Sequence, residues 1–319
     1  SIAPKNIVGA SITLEKGPQT YTGQELTNDV DGVKIDGLFL SKDEYTVTGA
    51  QKATNVGSYT LKVTANENSN FTGSAREDWA IEMAQNGWTE KPTVTGCTYG
   101  VTPTVTMGTA KFGNVAVEYF TQDGNNNLGT DIPTNAGSYK AVFTVEGTDN
   151  YNGLSETVDF TISKKPLTVT AENKTVTYGD VAPDYTVTYE GFVEGENESK
   201  LGGPLTFTCE YAPGNDVGSY DITPKGLTSD NYDIQYKSGT LTVSRRVIEY
   251  QWGNLSLTYN GQPQAPTAIA TNAFDKDALT LEVTGGAVDA GRHTATIQRI
   301  IGDKAGNYTL PPNHSTVFF

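Results

Sequence analysis

Three landmarks recur in fixed order four times along this 319-residue chain, and that register limits what it can fold into. The first is a tyrosine turn: Tyr21-Thr22-Gly23, Tyr99-Gly100, Tyr178-Gly179-Asp180 and Tyr259-Asn260-Gly261. The second is an acidic or amide residue, a spacer, a glycine, a spacer and an aromatic ring. It reads Asn55-Val56-Gly57-Ser58-Tyr59, then Asn135-Ala136-Gly137-Ser138-Tyr139, then Asp216-Val217-Gly218-Ser219-Tyr220. A worn fourth copy is Asp289-Ala290-Gly291-Arg292-His293. The third is an asparagine before an aromatic: Asn70-Phe71, Asn150-Tyr151, Asn231-Tyr232 and Asn307-Tyr308. Copies stand about 80 residues apart, too long for a solenoid or a propeller blade and right for a small β domain.

Periodicity of two supports strands. After the first corner Tyr59, Leu61 and Val63 alternate with Thr60, Lys62 and Thr64, and Tyr139, Ala141, Phe143 and Val145 repeat the pattern. Further strands are expected at Ser11–Leu14, Val33–Ile35, Tyr45–Thr48, Trp79–Met83, Val117–Phe120, Leu167–Thr170, Tyr185–Tyr189, Leu205–Cys209, Gly239–Val243 and Thr316–Phe319. Asp31-Gly32, Asn66 to Asn70, and Gly191 to Glu198 read as turns or loops, and Asp123 to Asn127 as a hairpin tip. Many Gly, Thr and Tyr with two Met and two Cys is a strand-and-turn composition.

The corner motif carries the fold reading. In immunoglobulin-like sandwiches a tyrosine near the start of one strand folds back so that its hydroxyl bonds a backbone group upstream. The glycine allows the close approach and any positive φ. Two residues after the ring, where antibody domains place a cysteine, stand Leu61, Ala141, Ile222 and Ala295. The expected class is therefore all-β, four tandem immunoglobulin-like β-sandwich domains without disulfides, at 1–84, 85–165, 166–245 and 246–319. Joints at Ala84-Gln85-Asn86, Ser163 to Pro166 and Ser244-Arg245-Arg246 are short and not Gly/Ser tracts, so an elongated, stiff rod on the order of 130–150 Å is expected. The worn corner predicts that the fourth domain is the least stable, with His293 as a structural ring that packs and bonds.

Charge narrows the partners. A formal charge of −15 and a pI near 4.5 disfavour nucleic acid and anionic membranes, and no apolar run is long enough for membrane insertion. A monomer is expected. The chain starts at Ser1 with no leader and closes on a strand, which reads as a mature or excised fragment. Cys97 and Cys209 fall in different repeats, so buried free thiols are expected rather than a bridge.

Catalytic chemistry is missing from the pattern, and no catalytic, cofactor or metal residue is assigned. The two histidines, His293 and His314, have no nucleophile in the same motif, and His314 sits in a Pro-rich loop. A paired-carboxylate hydrolase needs one unique cleft, which four similar domains do not offer. Asp123, Asn125 and Asn127 share the opening spacing of a calcium loop, but Leu128 and Thr134 stand where glycine and glutamate belong. Trp79, with Ile81 and Met83, reads as core; Trp88 and Trp252 read as core or joint packing rather than sugar platforms. No spacing singles out a Lys–Asn–acid trio for an intramolecular cross-link. Asn70-Phe71-Thr72 and Asn307-Tyr308-Thr309 fit the glycosylation pattern, which Asn- and Thr-rich strands generate by accident.

Lys165-Pro166-Leu167-Thr168-Val169-Thr170-Ala171, Tyr178-Gly179-Asp180, Gly191-Phe192-Val193-Glu194-Gly195, Asn215 to Tyr220 and Asn231-Tyr232 closely resemble the MBG (mostly β, glycine-rich) family. The second repeat, with Asn86-Gly87-Trp88-Thr89 and Pro133 to Tyr139, resembles related bacterial Ig-like repeats of large surface proteins of Gram-positive gut bacteria; the first and fourth are similar to the same group. The resemblance implies a non-catalytic, extracellular cell-surface or cell-wall segment with no cofactor, a stalk or spacer of an adhesin-like protein. The alternative it leaves is an adhesin that contacts an unknown protein or glycan through domain edges or loops.

Overall fold

The computed structural model describes residues 1–275, 277–313 and 316–319. Their regular structure is all β, apart from two three-residue 3-10 turns at Glu198–Lys200 and Ala305–Asn307. The chain forms two compact units, Ser1–Ser163 and Lys164–Phe319. Each unit contains two of the repeats, and no sheet of named strands crosses from one repeat into the next.

In the first repeat the order is Gln19–Thr20, Ser74–Glu82, Gly57–Ala65, Tyr45–Gly49, with a second sheet of Ser11–Leu14, Val30–Ile35 and Leu38–Leu40. Alternation sends Leu61, Val63, Trp79 and Ile81 inward from one sheet and Ile12 and Val33 from the other, so two faces close on one core. The second repeat has five strands in the order Cys97–Thr98, Leu154–Ser163, Gly137–Val145, Val115–Thr121, Asn127–Gly129, over a core of Tyr119, Ala141, Phe143, Phe160 and Ile162.

The second unit repeats the plan. Lys174–Thr177, Gly239–Ser244, Gly218–Lys225 and Thr206–Thr208 form one sheet, and Val187–Glu190, Lys165–Ala171 and Tyr232–Lys237 face it. The fourth repeat keeps Thr280–Thr284, Thr294–Ile301 and Thr316–Phe318, with the hairpin of Tyr250–Gly253 and Thr267–Ala270. In the first three repeats an early strand adds in parallel beside the last one, and the Tyr landmark follows it directly. Among the described residues of the fourth repeat no strand leads into Tyr259, whose side chain is 64% exposed.

Several expectations change. Asp31-Gly32 is not a turn: it lies inside the strand Val30–Ile35. Thr13 pairs with Gly32 and Leu14 with Val30, which leaves Asp31 as the extra residue of a β-bulge. The dipeptide signals a local kink, and burial of Val30 and Val33 on the core side decides for the strand. Met83 falls outside its strand, which ends at Glu82, and is exposed. The Tyr185–Tyr189 strand begins only at Val187 and runs to Glu190. Both cysteines are free but half-buried rather than buried.

Candidate functional site

The corner is the same object in every repeat. Tyr59 donates its hydroxyl proton to Asn55 O at 2.6 Å, Tyr139 to Asn135 O at 2.9 Å, and Tyr220 to Asp216 O at 2.7 Å. In the worn copy His293 Nε2 lies 2.7 Å from Asp289 O. A carbonyl only accepts, so the ring carries its proton on Nε2, and His293 makes the tyrosine's bond with an imidazole. The glycine serves close approach: a Cβ on Gly137 would sit 3.0 Å from the Tyr139 hydroxyl, and one on Gly57 3.3 Å from that of Tyr59. Leu61, Ala141, Ile222 and Ala295, at the bridge position, are all 0% exposed.

The third landmark begins each repeat in space although it comes late in sequence. The entering chain pairs in parallel with its aromatic residue every time: Lys5 with Phe71, Ala84 with Tyr151, Lys165 with Tyr232, Arg246 with Tyr308. The asparagine before that ring is thereby held at the end of the repeat that faces its predecessor within a unit.

There it closes the preceding corner. In the first unit Val56 N, the spacer of the corner, donates to Asn150 Oδ1 at 3.0 Å. In the second, Val217 N donates to Asn307 Oδ1 at 2.9 Å. Beside each amide the Tyr turn of one repeat meets the aromatic of the next edge-on, Tyr21 with Tyr151 at 5.4 Å and Tyr178 with Tyr308 at 5.3 Å. All three landmarks therefore converge on one joint. In the sequence they mark the fold; the signal that they also meet is their common spacing, which brings landmark three of one repeat against landmarks one and two of the repeat before.

The joint in the second unit adds ionic chemistry. Tyr178 and Tyr308 both donate to Asp277 Oδ2, at 2.9 and 2.6 Å, and the Tyr308 oxygen accepts from Phe274 N at 2.8 Å. Burial and the hydrogen bond to Asp277 push the Tyr308 phenol up to about 12 and raise that of Tyr178. Lys304 Nζ and Asn307 Nδ2 both donate to Asp216 Oδ1, at 2.6 and 2.8 Å. The Lys304 bond, then that of Asn307, lowers the Asp216 pKa, and Asp216 raises that of Lys304. Arg246 pairs with Asp180 and donates to Tyr178 O at 2.9 Å. Lys304, Asn307 and Asp216 are thus a Lys–Asn–acid trio that the spacing did not reveal. Its amine is held protonated, and an ammonium has no lone pair with which to attack an amide.

The remaining candidates resolve locally. The Asp123 carboxylate accepts from the Thr121 hydroxyl, from Asn125 N at 3.1 Å and from Asn125 Nδ2 at 2.8 Å, and these bonds, Thr121 first, lower its pKa. This is an Asx turn closing a hairpin. Among the described residues no group of three or more His, Cys, Asp or Glu is placed to hold a metal. Trp79 is core, its Nε1 donating to Ala50 O at 2.7 Å. Trp88 packs on the second repeat's core, and Trp252 stands edge-on to Tyr250. Burial raises the Cys97 thiol, which donates to Val101 O. Asn307 is buried, with both amide atoms engaged, whereas Asn70 is exposed. His314 lies outside the described residues.

Comparison with known proteins follows the same lines. No curated protein matches the chain. Solved structures that it resembles include the N-terminal four Ig domains of Dscam1 isoform 9.44, at 12% identity over 73% of each chain and a TM-score of 0.26. Others are the three N-terminal domains of the Hoc capsid protein of bacteriophage RB49 (14% identity, 74% of this chain and 99% of that one, TM-score 0.26) and Drosophila N-cadherin EC1-4 (10%, 90% and 87%, TM-score 0.22). Those scores are low, and the description of the fold rests on strand pairing. Residues 10–85 match the family model of the MBG domain, and residues 167–242 that of the MBG domain of YGX type. The first and third repeats are therefore MBG-family domains.

Proposed function

We propose that the chain is a non-catalytic structural segment of an extracellular cell-surface protein, a spacer whose repeats are held in fixed relation. In this reading the repeats are four domains, 1–84, 85–165, 166–245 and 246–319. The observation that carries it is the joint: in both units the recurring residues of the sequence are spent on gripping the neighbouring repeat. A backbone amide inside the grip, bonded to a half-buried or buried asparagine, resists bending better than a bare linker does. Net negative charge keeps such a β-rich surface soluble.

The test has two arms. Domain-resolved NMR relaxation on the full chain should give the repeats of one unit a common tumbling time, and Asn150→Ala or Asn307→Ala should separate them. Equal tumbling in wild type and both variants would remove the basis of the spacer reading. In the second arm, saturable capture on an array of glycans and matrix proteins would favour the other reading, an adhesin. One observation supports that reading, a strand edge left open in the third repeat.

A further inference from the structure

Among the described residues, the strand that follows the corner in the second repeat is paired along both edges back to the corner ring, whereas in the first its second edge is paired only back to Leu61, which leaves Gly57–Thr60 without a strand on that side. Tyr45–Gly49 accompanies it from Ala65 back to Leu61, and Val115–Thr121 accompanies it from Val145 back to the corner residue Tyr139. The third repeat is less covered still. Thr206–Thr208 covers only Lys225, Pro224 and Thr223. The other edge of the same strand is paired from Gly218 to Ile222 with Val243 to Gly239. Among the described residues, one edge of Gly218–Ile222 is left without a strand beside it.

The cause is Tyr211. Its ring is buried in the core and its hydroxyl donates to Asp180 O at 2.6 Å, which draws the chain after Thr208 inward and off the sheet edge. Between the departing Cys209-Glu210 and the strand Gly218–Ile222 lies a groove of 970 Å³. Its walls include Phe207, Cys209, Glu210, Ser219, Tyr220 and Asp221.

Alternation fixes what the groove offers. Pro224 has no N–H, so Thr223 and Lys225 carry the bonds to Thr208 and Thr206. By the two-residue period Ser219 and Asp221 turn their backbone groups to that same side, toward the groove, while Tyr220 and Ile222 face the paired edge. Side chains divide likewise: Glu210, Ser219 and Asp221 are exposed, whereas Phe207, Cys209 and Tyr220 are half-buried.

We propose that this groove takes an extended peptide, which adds as a strand along Gly218–Ile222. A peptide of about five residues spans that edge at ~3.3 Å per residue. Alternate side chains should be basic, meeting Glu210 and Asp221, and the intervening ones apolar, resting on Phe207, Cys209 and Tyr220. Backbone pairing supplies the attachment, and the charge pattern supplies selectivity. This site is independent of the spacer reading and stands or falls on the third repeat alone.

The test is amide hydrogen exchange on the full chain, with a seven-residue synthetic peptide of alternating Val and Lys and a control in which Glu replaces Lys. In the free protein Ser219 and Asp221 amides should exchange about tenfold or more faster than those of Tyr220 and Ile222. The Val/Lys peptide should slow them by about tenfold, and the Val/Glu peptide should leave them unchanged. Glu210→Lys with Asp221→Lys should weaken the effect by about tenfold, with the Tyr220 amide as protected as before to show that the sheet survives. Protection of Ser219 and Asp221 without peptide overturns the proposal. So does an equal effect of the two peptides, or protection that rises with protein concentration alone, which would make a second copy the occupant.

Discussion

In the first unit the joint is a stack of rings: Phe112 lies on Tyr151 at 3.6 Å, and Tyr21 meets Tyr151 edge-on. The two repeats there keep separate cores, one around Leu61 and Trp79, the other around Phe143 and Phe160. In the second unit one core cluster runs through the joint, from Ile222 and Leu241 through Tyr178 to Ile248 and Tyr308. Two tyrosine hydroxyls entering that apolar joint need a partner, and Asp277 provides it. The same amide grip thus serves two designs, repeats touching at a ring stack and repeats sharing a core. The fourth repeat, with its histidine corner and exposed Tyr259, is the one that leans on its neighbour's core.

The largest effect is expected from Gly179→Ala, which acts on the second joint alone. Gly179 has φ +86°, and a Cβ there would lie 2.5 Å from Phe274 Cδ2. The left-handed penalty and the overpacked ring together should cost about 2–4 kcal/mol, located in the second unit. Thr22 stands at the corresponding place after Tyr21, so Thr22→Ala should move stability by less than about 0.5 kcal/mol. Urea melts separate the units through Trp79 and Trp88 in one and Trp252 in the other. Equal costs for the two substitutions would end the distinction between the joints.

Next come the amides. Asn307→Ala leaves the Val217 N–H unpaired in a shared core and removes a bond to Asp216, for about 2–3 kcal/mol. Asn150 is half-buried where Asn307 is buried, and it makes one such bond rather than two, so Asn150→Ala should cost less, about 1 kcal/mol. An Asn150 variant as costly as the Asn307 one would show that the ring stack is as dry as the shared core.

Tyr308→Phe should cost about 1–2 kcal/mol, by removing one of the two tyrosine donors to Asp277 and leaving the Phe274 N–H without its acceptor. It also carries a pH signature. The folded Tyr308 pKa, about 12, is above the unfolded value near 10, so the folded state keeps its proton longer. Its contribution is whole below about pH 10 and is lost as pH rises toward 12. Alkaline destabilisation of the second unit should shrink in Tyr308→Phe; the same alkaline slope in both proteins would assign it elsewhere.

Lys304→Ala should have the smallest effect of the series, because the pair with Asp216 is exposed to solvent that screens it. Lowering the pH through the carboxylate range should remove the same small contribution, since the Asp216 pKa is depressed in the folded chain: its stabilisation is whole above the unfolded value and is lost as pH falls through the folded one. A loss on the scale of Asn307→Ala would mean that Lys304, not the amide, holds the joint.

The class of fold and the position of each corner are legible in the amino-acid order alone. Alternating apolar residues, a ring two places after a glycine and an apolar residue where a disulfide would stand are local patterns, and local patterns survive in one dimension. His293 shows how far this reaches: a changed residue keeps the corner because its ring places a donor where the tyrosine hydroxyl would be. Only the tertiary structure decided the rest. Asn150 reaches Val56, and Asn307 reaches Val217, about 90 residues away, because the entering chain pairs with Tyr151 or Tyr308 and carries the asparagine to the end of the repeat. Asp31-Gly32 became a bulge because Val30 and Val33 had to be buried. Asp277 gained its role from two tyrosines of different repeats, and the open edge at Ser219 and Asp221 from the burial of Tyr211. These are long-range pairings and competitions for the core; even the bulge at Asp31 is set by Thr13 and Leu14 on another strand, outside the window that holds the dipeptide.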